Sequence, residues 1–236
     1  MARGAARPTP GAAGRADRAA LVAAAQALDA LGFMPGKSGN LSLRTPRGFL
    51  VTPAALPYAA TKPDDLVEVA PDGKVLAGAR RPSSEWRLHA AIYAARPEAG
   101  AVVHTHSPSA TALSCARQGI PPLHYTIVMA GGGDIRCAAY ATFGTAALAE
   151  ATVAALAGRR AALLANHGVV ALGATLAGAQ ALAMEVETLA RHYLALRAAG
   201  LAPALLTAAE LAAATAQFAD YGRAGGPGTV PACRAT

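Results

Sequence analysis

Ala101-Val102-Val103-His104-Thr105-His106-Ser107-Pro108 is the stretch whose reading decides the fold. Residues 101–105 are small, β-branched or apolar and read as a buried strand. Ser107 then offers a helix N-cap, and Pro108 falls at the first helical position, so a helix follows to about residue 118. Upstream, Ser83 or Ser84 caps a helix that has Glu85 at its beginning and stops near residue 96, because Pro97 forbids continuation. Further back, short β-like segments at residues 41–44, 48–52, 66–70 and 74–77, the last entered through the turn Pro71-Asp72-Gly73, form a meander and not a βαβ start. A helix over residues 17–31, ending at Gly32, precedes them.

Downstream, strands are predicted at residues 125–128 and 136–140, on either side of Gly131-Gly132-Gly133. A helix over 145–157 is stopped by Gly158. Strands at 161–165 and 169–172 flank the turn Asn166-His167-Gly168. Thr175 opens a long helix to about residue 197, and Thr207 with Glu210 makes a capping box for the last one. This order describes one α/β domain over residues 16–221, a mixed sheet with helices on its faces.

The composition narrows the class. With 53% hydrophobic residues the 236-residue chain can bury a core, although 65 alanines inflate that fraction with little area each. Residues 1–15, rich in Ala, Gly, Pro and Arg, read as a disordered basic leader, and residues 222–236 as a flexible tail. The net charge of +7 lies mainly in these two ends, and no nucleic-acid-binding signature accompanies it. The uncharged run 161–184 carries Asn166, His167, Gln180 and three glycines, which argues against a membrane span. Three cysteines without metal-like spacing point to reduced thiols in a cytoplasm. Arginines ahead of a weakly apolar run only faintly imitate a signal peptide.

His104 and His106, two apart on a strand, project to one face as a pair of metal ligands. A single histidine such as His89, His124 or His192 is more simply a hydrogen-bonded core or surface residue. His167, in a glycine-bounded turn, is the natural third ligand, and three neutral imidazoles leave a position open on zinc. Glu85 is either a carboxylate favoured by the helix dipole or part of the chemistry. The serines beside it, at a helix N-terminus, suit a phosphate, and the loop Gly36-Lys37-Ser38-Gly39-Asn40 suits an anion.

Gly39-Asn40-Leu41-Ser42, Val51-Thr52-Pro53 with Leu56-Pro57-Tyr58, Pro82-Ser83-Ser84-Glu85-Trp86-Arg87, Val102 to His106, Ala139-Tyr140-Ala141-Thr142-Phe143-Gly144-Thr145 and Asn166-His167-Gly168 together resemble the class II aldolase/adducin family, over about residues 18–221. The resemblance implies an αβα sandwich around a mixed, largely antiparallel β-sheet, and cleavage of a ketose 1-phosphate to dihydroxyacetone phosphate and an aldehyde through a metal-stabilised enediolate. It implies one zinc ion per subunit on His104, His106 and His167, with Glu85 a ligand at rest and the acid/base in turnover. Asn40, Ser83 and Ser84 match phosphate positions. Tyr125 matches a residue that reaches a neighbouring subunit's site, and Phe143, Phe218 and Tyr221 match the aldehyde end. A homotetramer with intersubunit sites is implied.

The residues agree with metal chemistry. Lys37 lies in a polar loop, and Lys62 and Lys74 flank turns, so no desolvated amine offers itself for a Schiff base. A carboxyl group near the metal and a separate acid/base for the aldehyde oxygen are needed, roles that fit Glu85 and Tyr125. One departure is Ala54-Ala55, where aldolases of the family carry Thr-Gly. A hydroxyl is lost, alanine is strained if the second position needs positive φ, and Lys37 could supply a compensating cation. A ribulose-phosphate 4-epimerase, or a sugar-acid phosphate decarboxylase, of the same fold is the runner-up. A non-catalytic adducin-like module would predict degraded metal ligands, which this chain does not show. The sugar is not legible.

Overall fold

The computed structural model describes residues 14–221, and of Asp220 and Tyr221 only the backbone. The expected tail, and all of the expected leader except its last two residues, lie outside the described residues; Arg15 already opens the first helix. In chain order the elements are α1 Arg15–Ala30, β1 Asn40–Thr45, β2 Gly48–Val51, β3 Val67–Val69, β4 Val75–Ala77, α2 Trp86–Ala95, β5 Ala101–Thr105, α3 Pro108–Cys115, β6 Arg136–Ala138, α4 Ala146–Ala155, β7 Ala161–Leu164, β8 Gly168–Gly173, α5 Leu176–Ala198 and α6 Ala208–Tyr221.

The eight strands form one sheet in the order β4-β3-β2-β1-β5-β8-β7-β6. Every pairing is antiparallel except β6 with β7, so the sheet is mixed and largely antiparallel as expected. Alternation along the strands divides the core in two. Leu41, Leu50, Val103, Leu163, Val169 and Ala171 pack with α1, α3 and α5. Val51, Val67, Val102, Leu164, Val170 and Leu172 pack with α2 and α4 on the other face. The layers are therefore α, β, α. Leu21, Ala24, Ala25 and Leu28 recur on one face of α1 at helical spacing and are buried there.

Strand β5 runs through the middle of the sheet and all five of its residues are buried. Its register sets Asn40 of β1 on one side of His104 and Val170 of β8 on the other. Helix α3 begins three residues after β5 ends, but Ser107 makes no side-chain cap. Instead the buried carboxylate of Glu187, on α5, accepts from Ser109 N at 2.9 and 3.0 Å and from Ala110 N at 2.9 Å. A carboxylate at the helix's free amides is favoured by both hydrogen bonding and the dipole.

Two predicted boundaries need correction. Residues 125–128 are not a strand but part of a 3₁₀ turn, Tyr125–Ala130. His124 Nδ1 accepts from Thr126 N there, and Ile127 and Ala130, three apart, turn into the core before Gly131 ends the turn at φ 87°. A short apolar run cannot by itself separate these outcomes. Helix α3 ends at Cys115, ahead of the expected 118, because Arg117 takes φ 53° and turns the chain. The capping box on α6 is reciprocal as expected: Thr207 N donates to Glu210 Oε2 at 2.7 Å, and Glu210 N to Thr207 Oγ1 at 3.3 Å. Among the described residues no helix is long and apolar enough to cross a membrane.

Candidate active site

The end of β5, the β7–β8 turn and the start of α2 meet at one point. His104 Nε2 and His106 Nε2 lie 3.2 Å apart, and the three rings of His104, His106 and His167 stand edge to face with centroids 4.8 to 5.0 Å apart. Glu85 Oε2 is 3.2 Å from His104 Nε2 and its Oε1 is 3.3 Å from His167 Nε2. Local structure holds each group in place. His106 N donates to Phe33 O at 2.9 Å. Asn166, at φ 54°, donates from its N to Ser114 O at 2.9 Å and accepts from Arg117 Nε at 2.9 Å, while His167 N donates to Ser114 Oγ at 3.3 Å. Gly168 has no room for a side chain, since a Cβ there would fall 2.4 Å from Thr105 O and 2.9 Å from the His106 ring.

The constellation suits a metal ion. His104 Nδ1 faces Val169 O at 2.9 Å, so that nitrogen carries the proton and Nε2 faces the centre, free to hold a metal cation or, when none is bound, a second proton shared with Glu85. Two imidazole lone pairs at 3.2 Å repel unless a proton or a metal cation sits between them. Glu85 Oε1 is buried without a hydrogen-bond partner, an orphan acceptor in the same place. Burial, and then the neighbouring His104, push the His106 ring down to about 3. The same two causes take His167 to about 4, so both imidazoles are neutral at working pH. Burial alone would raise the Glu85 carboxyl, but the positive charge on the adjacent His104 ring, whose own pKa Glu85 raises when no metal cation lies between them, together with His167 and the Asn40 amide, holds it well below the usual carboxylate range, in the ionised form.

The three imidazoles are thus together, and a cleft of about 400 Å³ opens beside them. Lys37, Asn40, Ser83 and Ser84, the expected phosphate residues, all line it with Glu85, His106 and His167, as does Phe143 of the aldehyde-end set. Ser38, which the sequence reading did not single out, also lines it, and its buried Oγ has no partner. Its signal was present: a hydroxyl one residue before a glycine in an anion-like loop. That loop is fixed from below by Tyr58 of the Leu-Pro-Tyr motif, whose hydroxyl donates to Gly39 O at 2.6 Å. Gly39 takes φ 72° where a Cβ would fall 2.6 Å from His104 O.

Tyr125 and Phe218 are elsewhere. They stack on one another, centroids 5.9 Å apart, in a separate groove with Met129, Ala213 and Gln217, and neither lines the cleft of its own chain. Tyr221 is placed by backbone only, at the end of α6. The two expected catalytic groups are therefore not brought together within one chain.

Ala54 and Ala55 border the cleft, and Ala55 takes φ 61°. Left-handed backbone costs an L-residue roughly 1–2 kcal/mol, and glycine escapes it at some cost in unfolded-state entropy. Ala55→Gly is expected to stabilise the protein by up to about 1 kcal/mol, read as a raised denaturant midpoint at unchanged slope. A lowered midpoint would show that the backbone at Ala55 is not strained.

Residues 19–194 match the class II aldolase and adducin N-terminal domain, and the chain belongs to that family. It is 48% identical, over 206 residues that make up 87% of this chain and 92% of the relative, to the 5-methylthioribulose-1-phosphate/5-deoxyribulose-1-phosphate aldolase of Rhodospirillum rubrum. It is 43% identical, over 192 residues covering 81% of this chain and 89% of the relative, to the L-fuculose phosphate aldolase of Escherichia coli strain K12. The solved structure of an L-fuculose 1-phosphate aldolase superimposes with a TM-score of 0.84 at 35% identity, covering 88% of this chain and 98% of that one. The family and its aldolase-named relatives make this chain a carbon–carbon lyase of the class II aldolase type.

Proposed function

We propose that this protein is a zinc-dependent aldolase that reversibly cleaves a deoxyketose 1-phosphate to dihydroxyacetone phosphate and an aldehyde with an apolar terminus. The observation that carries the reading is the convergence of one ionised carboxylate and three imidazoles at the wall of a cleft lined by hydroxyls and a lysine. Three imidazoles favour zinc over magnesium. When bound, such a cation supplies Lewis-acid stabilisation of the negative charge left on the substrate's oxygens after carbon–carbon cleavage.

The chain's own residues do the rest on this reading. Lys37 and the hydroxyls of Ser38, Ser83 and Ser84 hold the phosphate, and Glu85 moves the proton at the carbon beside the carbonyl. Asn40 lines the same end, with one N–H given to Glu85. The exposed rings of Tyr140 and Phe143 give the cleft an apolar border, which suits a deoxy or methylthio terminus better than a hydroxylated one. Tyr125 handles the aldehyde oxygen from a second copy, because its groove lies apart from the cleft of its own chain. That assignment requires a homo-oligomer with sites completed between subunits, and the homotetramer that the family resemblance implies would supply it.

The relatives define the panel. Cleavage between the third and fourth carbons leaves acetaldehyde from 5-deoxyribulose 1-phosphate, methylthioacetaldehyde from its methylthio analogue and lactaldehyde from fuculose 1-phosphate. Zinc-loaded protein incubated with dihydroxyacetone phosphate and each of these is expected to form a ketose phosphate, with lower kcat/KM for glycolaldehyde. No condensation with any aldehyde would overturn the reading.

Lys37→Ala is expected to raise KM for the phosphorylated substrate about tenfold or more, the worth of one hydrogen bond to a charged group, while kcat changes little. The phosphate is a remote handle, bound alike in the ground and transition states. An unchanged KM would leave Lys37 as a solvated loop residue.

A further inference from the structure

Glu85 is the end of a buried polar chain. Asn40 Nδ2 donates to Glu85 Oε2 at 2.9 Å, Asn40 Oδ1 lies 2.5 Å from His89 Nε2, Ser42 Oγ 2.6 Å from His89 Nδ1, and Tyr93 Oη 2.8 Å from Ser42 Oγ. His89 and Ser42 are fully inaccessible, and Asn40 and Tyr93 nearly so. The chain arises from two periodicities that mesh. Asn40 and Ser42 are two apart on β1 and share a face, while Glu85, His89 and Tyr93 are four apart along α2 and its cap, on one side of the helix. Phe49 lies against both rings, at 6.2 Å from His89 and 5.5 Å from Tyr93 between centroids. This polar file therefore stands inside the apolar layer between the sheet and α2.

One fact fixes every proton in it. An ionised carboxylate only accepts, so Asn40 must turn its N–H₂ toward Glu85 and its carbonyl toward His89. His89 must then carry its proton on Nε2 and accept at Nδ1, the Ser42 hydroxyl must donate to that nitrogen, and Tyr93 must donate to Ser42. The other tautomer of His89 would draw the Asn40 N–H₂ to itself and aim the amide oxygen at the carboxylate. Burial supports the neutral ring, pushing the His89 pKa down to about 3. An apolar file of the same volume would avoid the desolvation of four polar groups. What the polar file provides is a directed N–H at Glu85 Oε2, with Oε1 left unpartnered beside His167.

We infer that Asn40 and His89 are positioning residues, and that the Tyr93–Ser42–His89–Asn40 file sets the orientation of the Glu85 carboxylate toward the metal and the substrate. This rests on the reading of Glu85 as ligand and base. Outer partners that orient a ligand typically contribute 10–100-fold to metal affinity or activity. His89→Phe keeps the ring volume and removes the donor to Asn40. It is expected to weaken zinc binding, measured by competition with a chelating indicator, and to lower kcat, each about tenfold or more, with KM unchanged. His89→Gln, which returns an amide N–H to the place of Nε2, is expected to restore most of both.

Zinc affinity and kcat that stay within about twofold of the wild type in folded His89→Phe would overturn the inference. Should that variant fail to fold, ¹⁵N spectra of the wild-type imidazoles decide: a proton on His89 Nε2 upholds the file and one on Nδ1 overturns it. A wild-type protein inactive with every aldehyde would sink the aldolase reading, and the zinc affinity and the tautomer would still test the positioning one.

Discussion

Glu85→Gln is expected to abolish both carbon–carbon cleavage and the exchange of a carbon-bound proton of dihydroxyacetone phosphate with solvent. Exchange needs a base but no aldehyde, so it isolates the proton transfer assigned to Glu85. Glutamine keeps an oxygen to accept the Asn40 N–H at the Oε2 position, but the anion that can take a proton is gone. Losing one such transfer costs on the order of a hundredfold or more. Tyr125→Phe should behave differently, with cleavage crippled and exchange largely kept, because the aldehyde oxygen plays no part in exchange. Within one chain these residues occupy separate cavities. Mixing the two inactive variants and letting their subunits redistribute should therefore return cleavage, from sites that combine an intact Glu85 with an intact Tyr125. If Tyr125→Phe loses exchange as completely as Glu85→Gln, with metal and assembly intact, the division of roles is wrong.

How much of this could be read from the sequence depends on how far apart the cooperating residues are. His104 and His106 are legible because a strand's period of two places both on one face, and the structure brings their Nε2 atoms to 3.2 Å. Glu85 is legible as the first residue before a helix, with serines on its N-terminal side. The lysine and hydroxyls that line the cleft are legible because they sit in two short polar loops. The apposition of Asn40 and Ser42 with His89 and Tyr93 is not, since it exists only where β1 packs on α2, more than 40 positions away in the chain. His89 taken singly looks like an ordinary core histidine, and its burial agrees with that; its partners are what give it a direction.

Tyr125 shows the opposite failure. Its segment has the composition of a strand, but it pairs with no strand of the sheet: the parallel place beside β7 goes to β6, and residues 125–130 close a 3₁₀ turn that buries Ile127 and Ala130. Tertiary competition of this kind cannot be read from a local window. A left-handed backbone at Ala55 could be suspected from the sequence only through the glycine that the family resemblance sets there, and the chain does take φ 61° at that position.

Removing the metal should have the second large effect. Dialysis against a chelator is expected to abolish both cleavage and exchange, and zinc to restore them, with one ion bound per chain. Alanine at His104, His106 or His167 should each remove metal and activity, but not with equal structural consequences. His104 is fully buried between Asn40 and Val170, and its Nδ1 proton satisfies Val169 O. His104→Ala therefore leaves a cavity in the middle of the sheet and removes a buried hydrogen bond to Val169 O, and should lower stability even in chelator. His106 and His167 are partly exposed, so their alanine variants should match the stability of the metal-free wild type. A ligand present at about a hundred times its dissociation constant adds about 2.7 kcal/mol to the folded state. For a domain of this length that is roughly 5–10 °C in Tm, a gain that zinc should give the wild type and withhold from all three variants. Full activity in metal-free protein, or a Tm that does not respond to zinc, would refute the metal centre. A response that survives His106→Ala and His167→Ala would place the ion elsewhere.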